Sequence, residues 1–129
     1  MPAYTAARTI NGVTDVTLQE PTFLVLTALA GGPRHGYGVI QEVAALSDNR
    51  VRLRAGTLYG AFDRLEARGF IEADREEIVE GRLRRYYRLT DAGAALLDAE
   101  AQRLARNAQA ASARLRQRAA TAGAEPRLA

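Results

Sequence analysis

Apolar residues recur at helical spacing in four stretches of the chain and alternate with polar ones in three others. The first helical stretch is TLQEPTFLVLTALAGGP. Thr17 and Glu20 have the spacing of a capping box, Pro21 is tolerated because it falls in the first turn, and Leu24, Val25, Ala28 and Leu29 supply an apolar face. Gly31, Gly32 and Pro33 end it. A second helix follows in HGYGVIQEVAALS, opened by His35 or Gly36, with apolar residues at 39, 40, 43, 44 and 46. RVRLR at 50–54 alternates and predicts a short strand. A third helix is predicted over 56–69, with Leu58, Ala61, Phe62 and Leu65 on its core side and Gly69 at its end. Two alternating runs, 70–76 and 83–89, predict a hairpin whose EIVEG connection, with Gly81 in the turn, is longer than the tightest type. Thr90 then caps a long last helix.

The pattern predicts a mainly α fold with a small β-hairpin: a winged helix-turn-helix over 17–90 and a long dimerisation helix over 91–120. Residues 1–16 show no sustained period and read as a flexible arm, and 121–129 read as a frayed tail.

The third helix is bare on its outer side. Opposite its core face lie Gly56, Gly60, Asp63 and Ala67, with Tyr59 and Arg64 on the shoulders. An internal glycine costs a helix about 0.5–1 kcal/mol relative to alanine, so a partner that needs close approach is one reason to keep it. A DNA groove is such a partner, with Thr57, Tyr59 and Arg64 as donors to phosphates. Arg54 precedes the helix, where the dipole already favours anions. In the hairpin Arg82, Arg84 and Arg88 share one strand face, with Arg85 on the other. Tyr86 falls with the arginines and is expected to be exposed. Tyr87 falls with Leu83 and Leu89 and is expected in the core. Glu76, Glu77 and Glu80 oppose this patch, either pointing away or pairing with it.

Composition narrows the class. The chain has 129 residues, 47% of them apolar, enough for one compact domain plus one extra element. Without cysteine there is no disulfide framework and no thiolate metal site. The net charge is only +3, but all 18 basic residues are arginine, whose planar fork suits phosphates and base edges. No apolar run approaches the roughly 20 residues of a membrane span, and the N-terminus lacks a secretory pattern, so a cytoplasmic protein is expected. The single histidine, His35, has no carboxylate cluster beside it, and the two serines, Ser47 and Ser112, lack a base in suitable context. GYG at 36–38 lacks the third glycine and the preceding strand of a dinucleotide motif. No enzyme, cofactor or metal site is expected.

GYGVIQEV, then GTLYGAFDRLEARGFI, then RRYYRLTDAG, in this order and spacing, resemble the PadR family of bacterial transcriptional regulators, over about Leu18 to Leu97. The short chain with one C-terminal helix is similar to the smaller subgroup. The resemblance implies a homodimeric winged-helix protein, usually a repressor, on a palindromic operator of double-stranded DNA, its own promoter among the candidate sites. It also implies that Thr57 and Tyr59 reach DNA from the recognition helix, that Arg64 contacts the backbone, and that Gly81-Arg82 is the wing tip. Gly60 departs from the family, where many relatives carry a longer and often basic side chain. The N-terminal arm is longer than usual. Many such proteins respond to small aromatic or planar compounds, but no tryptophan is available here to stack on one.

The last helix supports a dimer independently. Leu97, Ala101, Leu104, Ala108, Ala111 and Leu115 follow alternating steps of four and three, the seam of a helix pair. Phe23 and Leu26 of the first helix are expected to help cover it. The rival reading is a winged-helix dimer serving as a ligand- or protein-binding module without specific DNA binding.

Overall fold

The computed structural model describes residues 8–10, 13–15 and 18–124. In chain order the elements are β1 (Arg8–Ile10), β2 (Val13–Asp15), α1 (Glu20–Ala30), β3 (Arg34–His35), α2 (Gly36–Leu46), α3 (Ala55–Ala67), β4 (Ile71–Val79), β5 (Arg82–Leu89) and α4 (Asp91–Ala124). β1 and β2 pair antiparallel, so the arm carries a small hairpin that the sequence pattern does not predict. The second sheet is antiparallel in the order β3-β5-β4.

The core forms where α1, α2 and α3 converge on the sheet. Val25, Leu26, Leu29, Val39, Val43, Leu58, Phe62, Leu65 and Ile71 are all buried. The four predicted core positions of α3 are buried, and Tyr87 joins them, its ring 4.5 Å from that of Phe62. α3 ends in a Schellman motif: Gly69, at φ 79°, donates to Glu66, and Phe70 donates back to Leu65.

Three local expectations are corrected. RVRLR forms no strand. Val51 and Leu53 alternate because each is half-buried against the core, and Ser47 Oγ, which accepts from Val51 N at 3.0 Å, pins the loop. The third strand is instead β3, whose Arg34 and His35 pair with Tyr87 and Tyr86. The wing hairpin is of the tightest kind, because Val79 pairs with Arg82 and only Glu80 and Gly81 lie between. Both take positive φ, 53° and 76°, as a two-residue turn matched to strand twist requires. Finally, α1 starts at Glu20 with Gln19 as its N-cap and no side-chain cap. Thr17 lies outside the described residues.

α4 is held at its start and again within its first third. Thr90 Oγ donates to Gly69 O at 2.6 Å and accepts from Gly93 N at 3.0 Å, the expected cap. Further on, Glu100 is buried, accepting from Leu18 N at 2.6 Å and from the Arg103 guanidinium. The Arg103 hydrogen bond, reinforced by Leu18 N–H and the Arg103 charge, holds this carboxyl below its ordinary 4.5 despite the opposing effect of burial. A depressed acid stabilises the fold above its unfolded pKa, and that contribution is lost as pH falls through the folded value. Glu100→Gln is therefore expected to melt lower than wild type at pH 7. It is also expected to show a flatter loss of melting temperature below about pH 4.5, read by circular dichroism.

Candidate nucleic-acid interface

The start of α2, Tyr59 of α3 and the tip of the hairpin line one cleft. His35 caps α2, its Nδ1 accepting from Gly38 N at 3.2 Å. Burial lowers the His35 pKa and the nearby Arg84 charge lowers it further, against the opposing pull of Glu77. Below its ordinary 6.5 the ring is neutral at physiological pH, which leaves Nδ1 free to accept. The other side of the ring meets Tyr86 edge-on at 5.3 Å. Tyr86 is half-buried rather than exposed as expected. Its hydroxyl donates to Glu77 at 2.6 Å, and the Arg75 guanidinium lies 3.9 Å over its ring. It props the wing against α2.

α3 presents Arg54, Gly56, Thr57 and Asp63 to solvent, as the sequence predicts. Tyr59 is 49% exposed, and its ring sits edge-on to Phe62. Its hydroxyl lies over Gly36, where an added Cβ would be 2.6 Å from the oxygen. Gly36 is thus a spacing residue that lets Tyr59 rest on the start of α2. The glycines of α3 differ. Gly56 meets nothing within 4 Å, a bare surface, whereas Gly60 is half-buried beneath Arg64, whose Nη1 would be 3.5 Å from a Cβ there. Arg64 therefore does not stand out from the shoulder of the helix. It is half-buried, and its Nε is buried with no hydrogen-bond partner, at a cost on the order of 1–3 kcal/mol.

The wing resolves the opposition between its acids and its arginines. Arg85 pairs with Glu76 at 3.1 Å, Arg88 with Glu72 at 2.8 Å and Asp74 at 3.2 Å, and Arg75 with Asp74 at 3.2 Å. A register shift between Ala73 and Glu76, one extra residue on β4, bends this strand beside Arg75. Among the described residues Arg82 and Arg84 make no ion pair. Both line a cleft of about 540 Å³, which is completed by Tyr37, Tyr59, Gly36 and the wing tip at Glu80. The positive charge left over from the wing is therefore concentrated between the wing and α3. Gly81 holds the tip turn.

The predicted dimer residues divide. Leu26 is fully buried within one chain, so it has no surface to offer a partner, and Phe23 is half-buried against the same core. Leu97 packs on that core too. Ala101, Leu104, Ala108, Ala111 and Leu115 are exposed, Leu115 by 64%. Sequence reasoning missed Gly36 and Glu100. The first shows no periodic signal, and the second is marked only by Arg103 three residues on.

Three helices with a three-stranded sheet, whose short first strand lies between α1 and α2 and whose other two form a protruding hairpin, define a winged helix-turn-helix. Residues 25–99 match the profile of the transcriptional regulator PadR-like family. A transcriptional regulator from Mycobacterium tuberculosis is 41% identical over 73 residues, 57% of this chain, and the chain spans 64% of that relative's length. A PadR family regulator from Clostridium difficile superposes with a TM-score of 0.63 at 22% identity, over 75% of this chain and 99% of that one. Bacillus subtilis PadR in complex with operator DNA superposes with a TM-score of 0.55 at 22% identity, over 62% of this chain and 45% of that one. The chain belongs to the PadR-like family of transcriptional regulators.

Proposed function

We propose that this protein is a homodimer that binds double-stranded DNA at a two-fold operator, acts there as a repressor, and is released by a small-molecule effector. The observation that carries the DNA reading is the pairing pattern of the wing. Three of its arginines are neutralised by carboxylates, while Arg82 and Arg84, unpaired among the described residues, flank the same cleft as Tyr59. α3 enters the major groove with Gly56, Thr57 and Asp63 outward, and Arg54 steadies the phosphate at its start. Arg82 and Arg84 follow the adjacent backbone, with Gly81 at the wing tip and Tyr86 as a prop behind it.

The dimer reading is supported by α4. From Leu104 to Gly123 its side chains are exposed apart from half-buried Ala113, and an apolar stripe on an otherwise unsupported helix is stabilised by a second copy. Two reading heads then address half-sites one duplex turn apart, roughly 34 Å. The effector's release of DNA rests on the family resemblance.

Selection of binding sites from random duplexes, followed by footprinting, tests this. A two-fold consensus with half-sites one turn apart is the expected result, and Tyr59→Ala is expected to weaken binding at least tenfold. Recovery of no consensus at low salt would leave the rival binding-module reading in place.

A further inference from the structure

A second, smaller cleft lies on the opposite flank of α3, between it and the start of α1, with a volume of about 230 Å³. Val25, Leu53, Leu58 and Ala61 make an aliphatic floor, and Arg64 closes one side. No aromatic residue lines it. Gln19, the N-cap of α1 with no side-chain cap, and Thr57 stand at the same opening. The acid of that turn, Glu20, is engaged with Arg50 at 3.0 Å. Arg64 Nε, buried and without an acceptor, is the one orphaned buried side-chain donor among the described residues.

Arg64 lines this aliphatic cleft as its one charged group, and its covered Nε–H has no acceptor within the described residues. We infer that this cleft binds a small aliphatic carboxylate, its chain on the Val25–Leu58 floor and its carboxylate on Arg64. The guanidinium fork matches a carboxylate in geometry and charge. At about 30 Å³ per water the volume equals roughly eight waters, which fits a ligand of about six to ten non-hydrogen atoms. A Cβ at position 60 would make only an ordinary contact, 3.5 Å from Arg64 Nη1. A longer side chain there would compete with the guanidinium for this place. Because Thr57 both lines this cleft and lies on the outward face of α3, an occupant places its carboxylate beside the surface proposed to meet DNA. Its regulatory consequence rests on the DNA reading, whereas the binding itself does not.

Hexanoate is the probe, titrated into full-length protein while the Arg64 Nε–H resonance is followed by NMR. A saturable shift of that signal is expected, with at least tenfold weaker binding of hexan-1-ol, which has the same chain without the charge, and of hexanoate by Arg64→Gln. Ala61→Val, which fills the floor, is expected to weaken hexanoate equally. Should that variant misfold, Thr57→Val at the rim provides the second check. No saturable shift, or equal affinity for the alcohol and the acid, overturns the site. In the second arm hexanoate is added to the protein–DNA complex. Loss of DNA is the expected result, while hexanoate binding that leaves DNA affinity unchanged overturns the regulatory link alone. A protein that binds hexanoate and no duplex would refute the DNA reading and leave the site standing.

Discussion

Gly93→Ala is expected to destabilise the fold by about 3 kcal/mol, from overpacking of about 1–3 kcal/mol and loss of a helix cap worth about 1 kcal/mol. A Cβ at position 93 would lie 2.0 Å from the Phe70 carbonyl oxygen and 2.9 Å from Leu89 Cδ1. The oxygen cannot yield, because it accepts from Thr90 N at 3.1 Å in the junction that launches α4. The helix must instead lift from the sheet, which pulls Gly93 N from Thr90 Oγ and loosens the packing of Leu96 and Leu97 on the core. For a domain of this size the melting temperature falls by roughly 10–20 °C, measured by thermal circular dichroism. Gly56→Ala is the matched control. It meets nothing within 4 Å and is expected to raise stability by about 0.5 kcal/mol through helix propensity. Equal melting temperatures for Gly93→Ala and wild type would refute the close approach of α4 to Phe70.

Leu104→Glu combined with Leu115→Glu is expected to convert a dimer into a folded monomer. Both leucines are exposed, at 40% and 64%, and lie beyond the part of α4 that packs on its own chain. The substitution therefore costs one chain almost no buried area, and far-ultraviolet spectra should keep the helical signature of the winged-helix core. In a dimer the same change places four carboxylates in an apolar seam. A monomer by analytical ultracentrifugation, with operator affinity reduced at least a hundredfold, is the expected outcome, since two heads bound through one dimer share a single binding event. A wild-type protein that is itself monomeric at micromolar concentration would contradict the pairing.

Legibility in the sequence followed the length of the signal. α3 was readable because Leu58, Ala61, Phe62 and Leu65 fall on one helix face over about two turns, and all four are buried. Tyr87 was readable because alternation assigns it to the inner face, whereas Tyr86, on the outer face, is half-buried because a neighbouring element, His35, comes to meet it. β3 was not readable: two residues have no period, and only the partner strand makes Arg34 and His35 a strand. RVRLR misled for the opposite reason. Alternation there reflects two anchors in the core without a neighbour to pair with. At the candidate site the positions of the arginines were visible in sequence, but not their state. Cross-strand register sets Arg85 opposite Glu76 and Arg88 opposite Glu72, where ion pairs form, whereas Arg82 faces Val79 and Arg84 faces Glu77, whose carboxylate is engaged by Tyr86 and Arg75 instead. The role of Gly60 was also misread as a bare face, because an arginine four residues on folds back over it.

The central claim, that the cleft between α3 and the wing receives the DNA backbone, is tested most directly by fluorescence polarisation. Wild type and the Arg82→Ala/Arg84→Ala double variant are measured on one duplex, taken from upstream of the protein's own coding region or from the selection, across a salt series. Two arginines removed from each chain of a dimer eliminate four phosphate contacts. The plot of log affinity against log salt should therefore lose roughly 3–4 from its slope. Parallel salt dependences for the two proteins would contradict the account, because the unpaired arginines would then touch no phosphate.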